Sequence, residues 1–164
     1  MDLLENIVDQ CPNDAVLLGL DVGKKTIGLA VGSVSQGIAT PVCTIKRKKF
    51  SQDLKQLENV IGEYDVTGYV IGYPLHIDGG EGRKCQSIRD FTLEFERQLS
   101  IKPVDGKVWV ALWDERFSTA VVEDFVDRSV DMSRRRAKEK GVIDKLAAQV
   151  ILQGALDYIS ARAL

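Results

Sequence analysis

Apolar and polar positions along the chain fall into short runs separated by turn residues. Residues 16–22 (VLLGLDV) are almost wholly apolar, and a Gly-Lys-Lys turn at 23–25 divides them from 26–32 (TIGLAVG), so the two runs predict the strands of a hairpin. A third strand is expected over 37–45, where Pro41 points to an edge or an irregularity. Phe50, Leu54, Leu57, Val60 and Ile61 then recur at the spacing of one helical face. Residues 66–71 predict a short strand stopped by Gly72-Tyr73-Pro74, and a loop with Asp78-Gly79-Gly80 and Gly82 follows. A second helix carries the stripe Cys85, Ile88, Phe91, Phe95 and Leu99. The strand 108–113 runs into Asp114-Glu115-Arg116; Ser118 or Thr119 can cap a helix to about 127, and a last helix is expected over about 143–160.

Strands and helices in the order βββαβαβαα predict one α/β domain over 1–164, with its core in about 15–160 and an N-terminal extension at 1–14. The expected architecture is a mixed five-stranded sheet flanked by helices in three layers. Three antiparallel meander strands come first, then alternating helices and strands. This is the plan of the ribonuclease H-like fold.

Composition narrows the chemistry. The chain has 164 residues, 45% hydrophobic and 28% charged, an ordinary globular balance. No apolar run approaches the roughly 18 residues that span a bilayer. The start, MDLLENIVDQCPND, is acidic and lacks the order of a secretory signal, so a cytoplasmic protein is expected. Cys11, Cys43 and Cys85 show no paired spacing, and His76 is the sole histidine. Disulfide frameworks, thiolate zinc sites and histidine bases therefore have little material, leaving carboxylates and lysines to carry any catalysis. His76, in the glycine-rich loop, has a surface role as its simplest reading, with a substrate contact as the other.

Net charge is −2, so no global field draws in a polyanion. Basic residues nevertheless cluster, at Lys46-Arg47-Lys48-Lys49 and at Arg134-Arg135-Arg136 with Lys138 and Lys140. A solvated face is the plain reading of either run, and a phosphate contact the sharper one.

Three acids stand out. Asp21 ends a strand expected to be covered on both faces, where an unpaired carboxylate is costly; a turn-initiating Asp is the plainer alternative. Gly19 to Thr26 superficially resembles a phosphate-binding P-loop, but the glycine gap is one residue short, Lys25 intervenes before Thr26, and a strand follows. The acid-x-Gly turn of the sugar-kinase superfamily is also similar, although those proteins use two such domains. Period two puts Trp109, Ala111, Trp113 and Glu115 on one strand face and Asp114 on the other, favouring Glu115 with Asp114 in reserve. Asp144 shares a helical face with Ala147, Ala148, Ile151 and Ala155, either facing the core or favouring the helix N-terminus as a dipole or capping carboxylate. Together the three acids offer hard oxygen ligands suited to Mg²⁺ or Mn²⁺. Two such ions can drive an in-line phosphoryl displacement.

Four blocks, GLDVGKKTIGLAVG, GYPLHIDGGEGRKCQ, WDERFSTA and IDKLAAQVILQGAL, make the chain resemble the YqgF family, also called RuvX, of bacterial ribonuclease H-like nucleases. The resemblance runs from Val16 to Tyr158. It implies a metal-dependent nuclease whose acids map to Asp21, Glu115 and Asp144, with Asp21 bridging the metals. It matches Lys25 and Arg116 to the family's basic positions, candidates for holding the scissile phosphate. Arg134, Arg135 and Arg136 would hold the nucleic-acid backbone. The family's substrate is described as the 5′ end of pre-16S rRNA, in ribosomal precursor particles, with an older assignment to Holliday junctions in branched DNA. A monomer or homodimer fits either. Gly32-Ser33, Tyr73 and His76 depart from the family's usual residues without removing a metal ligand, and Tyr73 with the Gly72–Pro74 turn is expected to shape a substrate channel. A non-catalytic RNA-binding assembly factor is the alternative from another class.

Overall fold

A computed structural model describes residues 1–74, 82–102, 106–114 and 136–162, with residues 136–140 described by backbone alone. Six strands form one sheet: β1 (Asp2–Leu3), β2 (Val16–Val22), β3 (Thr26–Ser33), β4 (Ala39–Lys46), β5 (Gly68–Tyr73) and β6 (Val110–Asp114), in the order β1-β6-β5-β2-β3-β4. The meander β2-β3-β4 is antiparallel, whereas β5 pairs parallel with β2 and β6 parallel with β5. Pro41 sits on the edge strand β4, and the β3–β4 register shifts between Leu29 and Ala30, opposite the Pro. Proline cannot donate to a ladder, so edge and bulge are where it is tolerated.

The sheet has one strand more than the five expected. Residues 1–14 do not merely precede the core. β1 pairs parallel with β6, and the short helix α1 (Leu4–Ile7) buries Leu4 while Val8 follows it into the interior. Trp109 explains the attachment: its indole N–H, half of a large apolar side chain in the core, donates to the Ile7 carbonyl at 3.0 Å. Other boundaries moved slightly. β5 starts two residues later than expected and runs through Gly72 and Tyr73, because pairing with Trp113 and Asp114 of β6 continues that far.

Helices α2 (Phe50–Tyr64) and α3 (Arg83–Gln98) cover one face. Their stripes, Leu54, Leu57, Val60, Ile61 and Cys85, Ile88, Phe91, Phe95, meet Leu18, Leu20, Ile27, Leu29, Ile71 and Leu112 in one core. Asp65 ends α2 in the left-handed region (φ 53°), which a short polar side chain tolerates. The other face is covered by α4 (Arg136–Arg162), whose Ala148, Ile151, Leu152, Ala155 and Leu156 pack on Leu17, Ala30, Val70 and Ala111. The three layers are those expected. The expected helix over 118–127 lies outside the described residues.

Candidate active site

Strand β2 carries Asp21 at its next-to-last position, directly across the ladder from Gly28 of β3. Paired residues share a face, and Gly28 is where α4 touches the sheet: a Cβ there would lie 2.0 Å from the Asp144 carbonyl oxygen. Gly19 and Gly32 serve the same approach, since a Cβ at either would come within 2.7 or 2.8 Å of Leu152 or Leu156. Helix and sheet therefore close backbone to side chain. Asp21 and Asp144 come to the same face at the same end, which resolves one alternative from the sequence in favour of a core-facing acid.

The position of Asp144 removes its other alternative. α4 begins at Arg136, well before the 143 expected, so Asp144 lies more than two turns in and neither caps the helix nor sits in its first turn. Its Oδ2 instead accepts a 2.7 Å hydrogen bond from the Thr26 hydroxyl. The helix is tied to the sheet on both sides of that point. Thr44 Oγ1 donates to the Gly141 carbonyl at 2.6 Å, and Gln149 and Gln153 bond the backbone of Gly37 and Ala39.

Electrostatics single out Asp21. Burial pushes its carboxyl up to about 6 from the usual 3.8; Lys84, at the start of α3, pulls it down, and Asp144 raises it again. A half-buried carboxylate beside a second one is poised to gain a cation. Asp21 and Asp144 thus fit a divalent ion by their chemistry, although among the described residues no group of three or more His, Cys, Asp or Glu gathers. Glu115 and Arg116, expected to complete the set, lie outside the described residues, as do Arg134, Arg135 and His76. Arg136 opens α4 and is described by backbone alone.

The strand leading to Glu115 is described as far as Asp114, and it fixes the side to which that acid turns. Ala111 joins the core under α4, and Trp113 packs on Gly154 of α4 and edge-on against Tyr158. Val110 and Leu112 join the opposite core, and Asp114 pairs with Tyr73 on that side. Asp114 therefore points away from the face that Asp21 and Asp144 share.

One expectation is corrected. Tyr73 does not wall a channel: it is 0% exposed in the core beneath α3, where its hydroxyl accepts a 2.6 Å bond from Arg89. A Cβ on Gly23 would meet Thr26, at 3.2 Å from its carbonyl oxygen, so the glycine lets the turn close on Thr26. Lys25 lies in that turn, exposed. Sequence reasoning missed Thr26, Gly28 and Lys84. Gly28, Ala30 and Gly32 do form a small-residue stripe of period two that pointed to the helix contact; nothing local signals Lys84. A cavity lined by Thr67, Tyr69, Lys102 and Trp109 lies at the opposite end of the sheet, where β5 and β6 begin, and is separate from this site.

A mixed sheet ordered in this way, with acids gathered where β2 ends and α4 crosses it, is a ribonuclease H-like fold. It is shared with two solved structures. A RuvC of T. thermophilus in complex with a Holliday junction substrate aligns at TM-score 0.52 and 13% identity, over 91% of this chain and 96% of that one. The yeast mitochondrial Holliday junction resolvase Ydc2 aligns at 0.55 and 12%, over 96% and 84%. At such identities the likeness concerns the fold.

The chain belongs to the RuvX family, whose model, described as "RuvX: Holliday junction resolvase", matches residues 15–158. A relative from Rhodospirillum centenum is 44% identical over 151 residues, 90% of this chain and 76% of its own length, and one from Paramagnetospirillum magneticum is 46% identical over 144 residues, 88% and 86%. Both carry the name "Putative pre-16S rRNA nuclease".

Proposed function

We propose that this protein is a divalent-metal-dependent endonuclease that trims the 5′ end of pre-16S ribosomal RNA. The observation that carries the reading is Asp21, half-buried at a strand end and brought by the Gly28 contact to the face of Asp144. The names borne by its relatives supply the substrate. Asp21, Glu115 and Asp144 would hold Mg²⁺ or Mn²⁺; when bound, such ions activate water and neutralise charge on the phosphate oxygens.

The chain's own residues have separable tasks. Asp21 is destabilised as a free anion by burial, so it favours occupation by a cation. Thr26 orients Asp144 through its hydroxyl. Lys25, on the exposed turn just beyond Asp21, and Arg116 would hold the scissile phosphate. Arg134, Arg135 and Arg136 hold the backbone of the strand by charge, without reading bases. All the acids come from one chain of one domain, so a monomer suffices to cut one strand, and a homodimer would be needed for paired cuts across a junction. Among the described residues no helix is long and apolar enough to cross a membrane. The substrate proposed here would have the enzyme meet nascent ribosomal particles in the cytoplasm.

The test is side-by-side incubation of the protein with Mg²⁺ or Mn²⁺, a pre-16S 5′-leader RNA and a four-way DNA junction, with Asp21→Asn as control. Cleavage of the RNA by the wild type alone is expected. Cleavage of the junction alone would transfer the assignment to branched DNA. Binding of RNA without any cleavage would replace the nuclease with an assembly factor.

A further inference from the structure

The run Lys46-Arg47-Lys48-Lys49 has no part in the site described above, yet it is built against it. Lys46 pairs across the β3–β4 ladder with Thr26, the residue that holds Asp144. Arg47 is turned inward. Its backbone N–H donates to the Lys25 carbonyl at 2.8 Å and its guanidinium to the Gly23 carbonyl at 2.6 Å, while the same group lies 5.4 Å over the Phe91 ring. The Lys48 N–H donates to Oδ1 of Asp53, which is 1% exposed in the first turn of α2. Arg47 and Asp53 thus fix the segment, leaving Lys46, Lys48 and Lys49 exposed beside the equally exposed Lys24 and Lys25.

A solvated face does not need this arrangement. Like charges are clamped together in a chain whose net charge is −2. Lys49 also occupies the N-cap of α2, with Lys48 before it, where the positive end of the helix dipole disfavours cations. Both costs are relieved when an anion sits among these lysines, and helix N-terminal N–H groups favour the same ligand. A lysine ammonium recognises phosphate as a point charge, so the ligand these groups fit is a phosphodiester backbone rather than a particular base.

We infer that Lys24, Lys46, Lys48 and Lys49 form, together with Lys25, a phosphodiester-binding edge on the β4 side of the Asp21–Asp144 pair. The strand being cut runs along this edge, and Arg47 acts as the clamp that positions the lysines. The inference rests on the nuclease reading for its ligand.

The experiment separates the two. In an Asp21→Asn background, which binds without cutting, the triple variant K46Q/K48Q/K49Q is compared with its parent. The probes are a labelled single-stranded RNA and the DNA of the same sequence, over a range of salt concentrations. The triple variant is expected to bind both probes about tenfold or more weakly, with the slope of log affinity against log salt reduced by about two. The matching K46R/K48R/K49R variant should bind as the parent does, and unchanged melting temperatures show that the fold is intact. Equal affinity and slope in parent and triple glutamine variant would overturn the inference and leave the nuclease standing. Failure of the parent to bind either probe, with no cleavage by the wild type, would overturn both.

Discussion

Thr26 Oγ1 lies 2.7 Å from Oδ2 of Asp144, a bond between residues 118 positions apart in the chain. It joins the start of β3 to the third turn of α4 and sets the direction of one acid of the site. Removing the donor leaves a carboxylate oxygen without the bond that aims it, and hydrogen bonds to charged groups contribute about 1.5–3 kcal/mol. Thr26→Val is therefore expected to lower the single-turnover cleavage rate by about tenfold or more, with nucleic-acid affinity unchanged. Thr26→Ser should retain most of the rate. Equal rates in the valine variant and the wild type would show that Asp144 needs no such support.

The carboxyl of Asp21 is pushed up to about 6 in the folded protein, chiefly by burial. A carboxyl raised on folding binds its proton more tightly when folded, so its contribution to stability is complete below its ordinary value of 3.8 and is lost as pH rises through about 6. In divalent-free buffer at neutral pH, Asp21→Asn should consequently be more stable than the wild type, by up to about 3 kcal/mol. The gain should vanish toward pH about 4. Adding Mg²⁺ should raise the melting temperature of the wild type and not that of the variant. Denaturant melts at both pH values, with and without the ion, give the answer.

Gly28 predicts a steric effect. A methyl group there would overlap the Asp144 carbonyl at 2.0 Å, and backbone cannot rotate out of the way. Gly28→Ala should destabilise by about 1–3 kcal/mol or more and reduce cleavage, because α4 must lift and carry Asp144 with it. Gly62→Ala is the control of opposite sign: nothing lies within 4 Å of its Cβ position, and alanine in a helix is favoured by roughly 0.5–1 kcal/mol. Thermal melts of the two variants should move in opposite directions.

The pairing of Asp114 with Tyr73 leads to a comparison of two neighbouring acids. Glu115→Gln should abolish metal-dependent cleavage, whereas Asp114→Asn, altering the face away from Asp21, should retain it within about tenfold. The reverse ranking would transfer the proposed ligand role from Glu115 to Asp114.

Much of the fold was legible because it depends on local periodicity. The stripe from Phe50 to Ile61 predicted the helix α2, and Val16 to Val22 predicted β2, since an almost wholly apolar run needs cover on both faces. The N-terminal segment was misjudged because its attachment depends on a distant partner, the Trp109 indole and the unpaired edge of β6. The start of α4 was misplaced for a related reason: residues 136–141 are charged or small and carry no stripe, yet their backbone continues the helix.

For the site, residue types were enough to single out Asp21 and Asp144, because an acid inside an apolar pattern is visible without any coordinates. Alternation along 109–113 likewise sufficed to place Asp114 on the face away from Asp21. What the sequence could not determine was which alternative each acid obeyed. Asp144 could cap a helix or face a sheet, and only the contact of Gly28 with its backbone and the hydroxyl of Thr26 decided that. The same holds for the two basic residues that no pattern distinguishes from their neighbours: Lys84, which acts on Asp21 from the start of α3, and Arg47, half-buried against Gly23 and Phe91 amid exposed lysines. Periodicity reports the face a residue shares with its neighbours in the chain. Distances between charges on different elements follow from packing, and in this protein packing is set by how closely one helix can approach a strand of glycines.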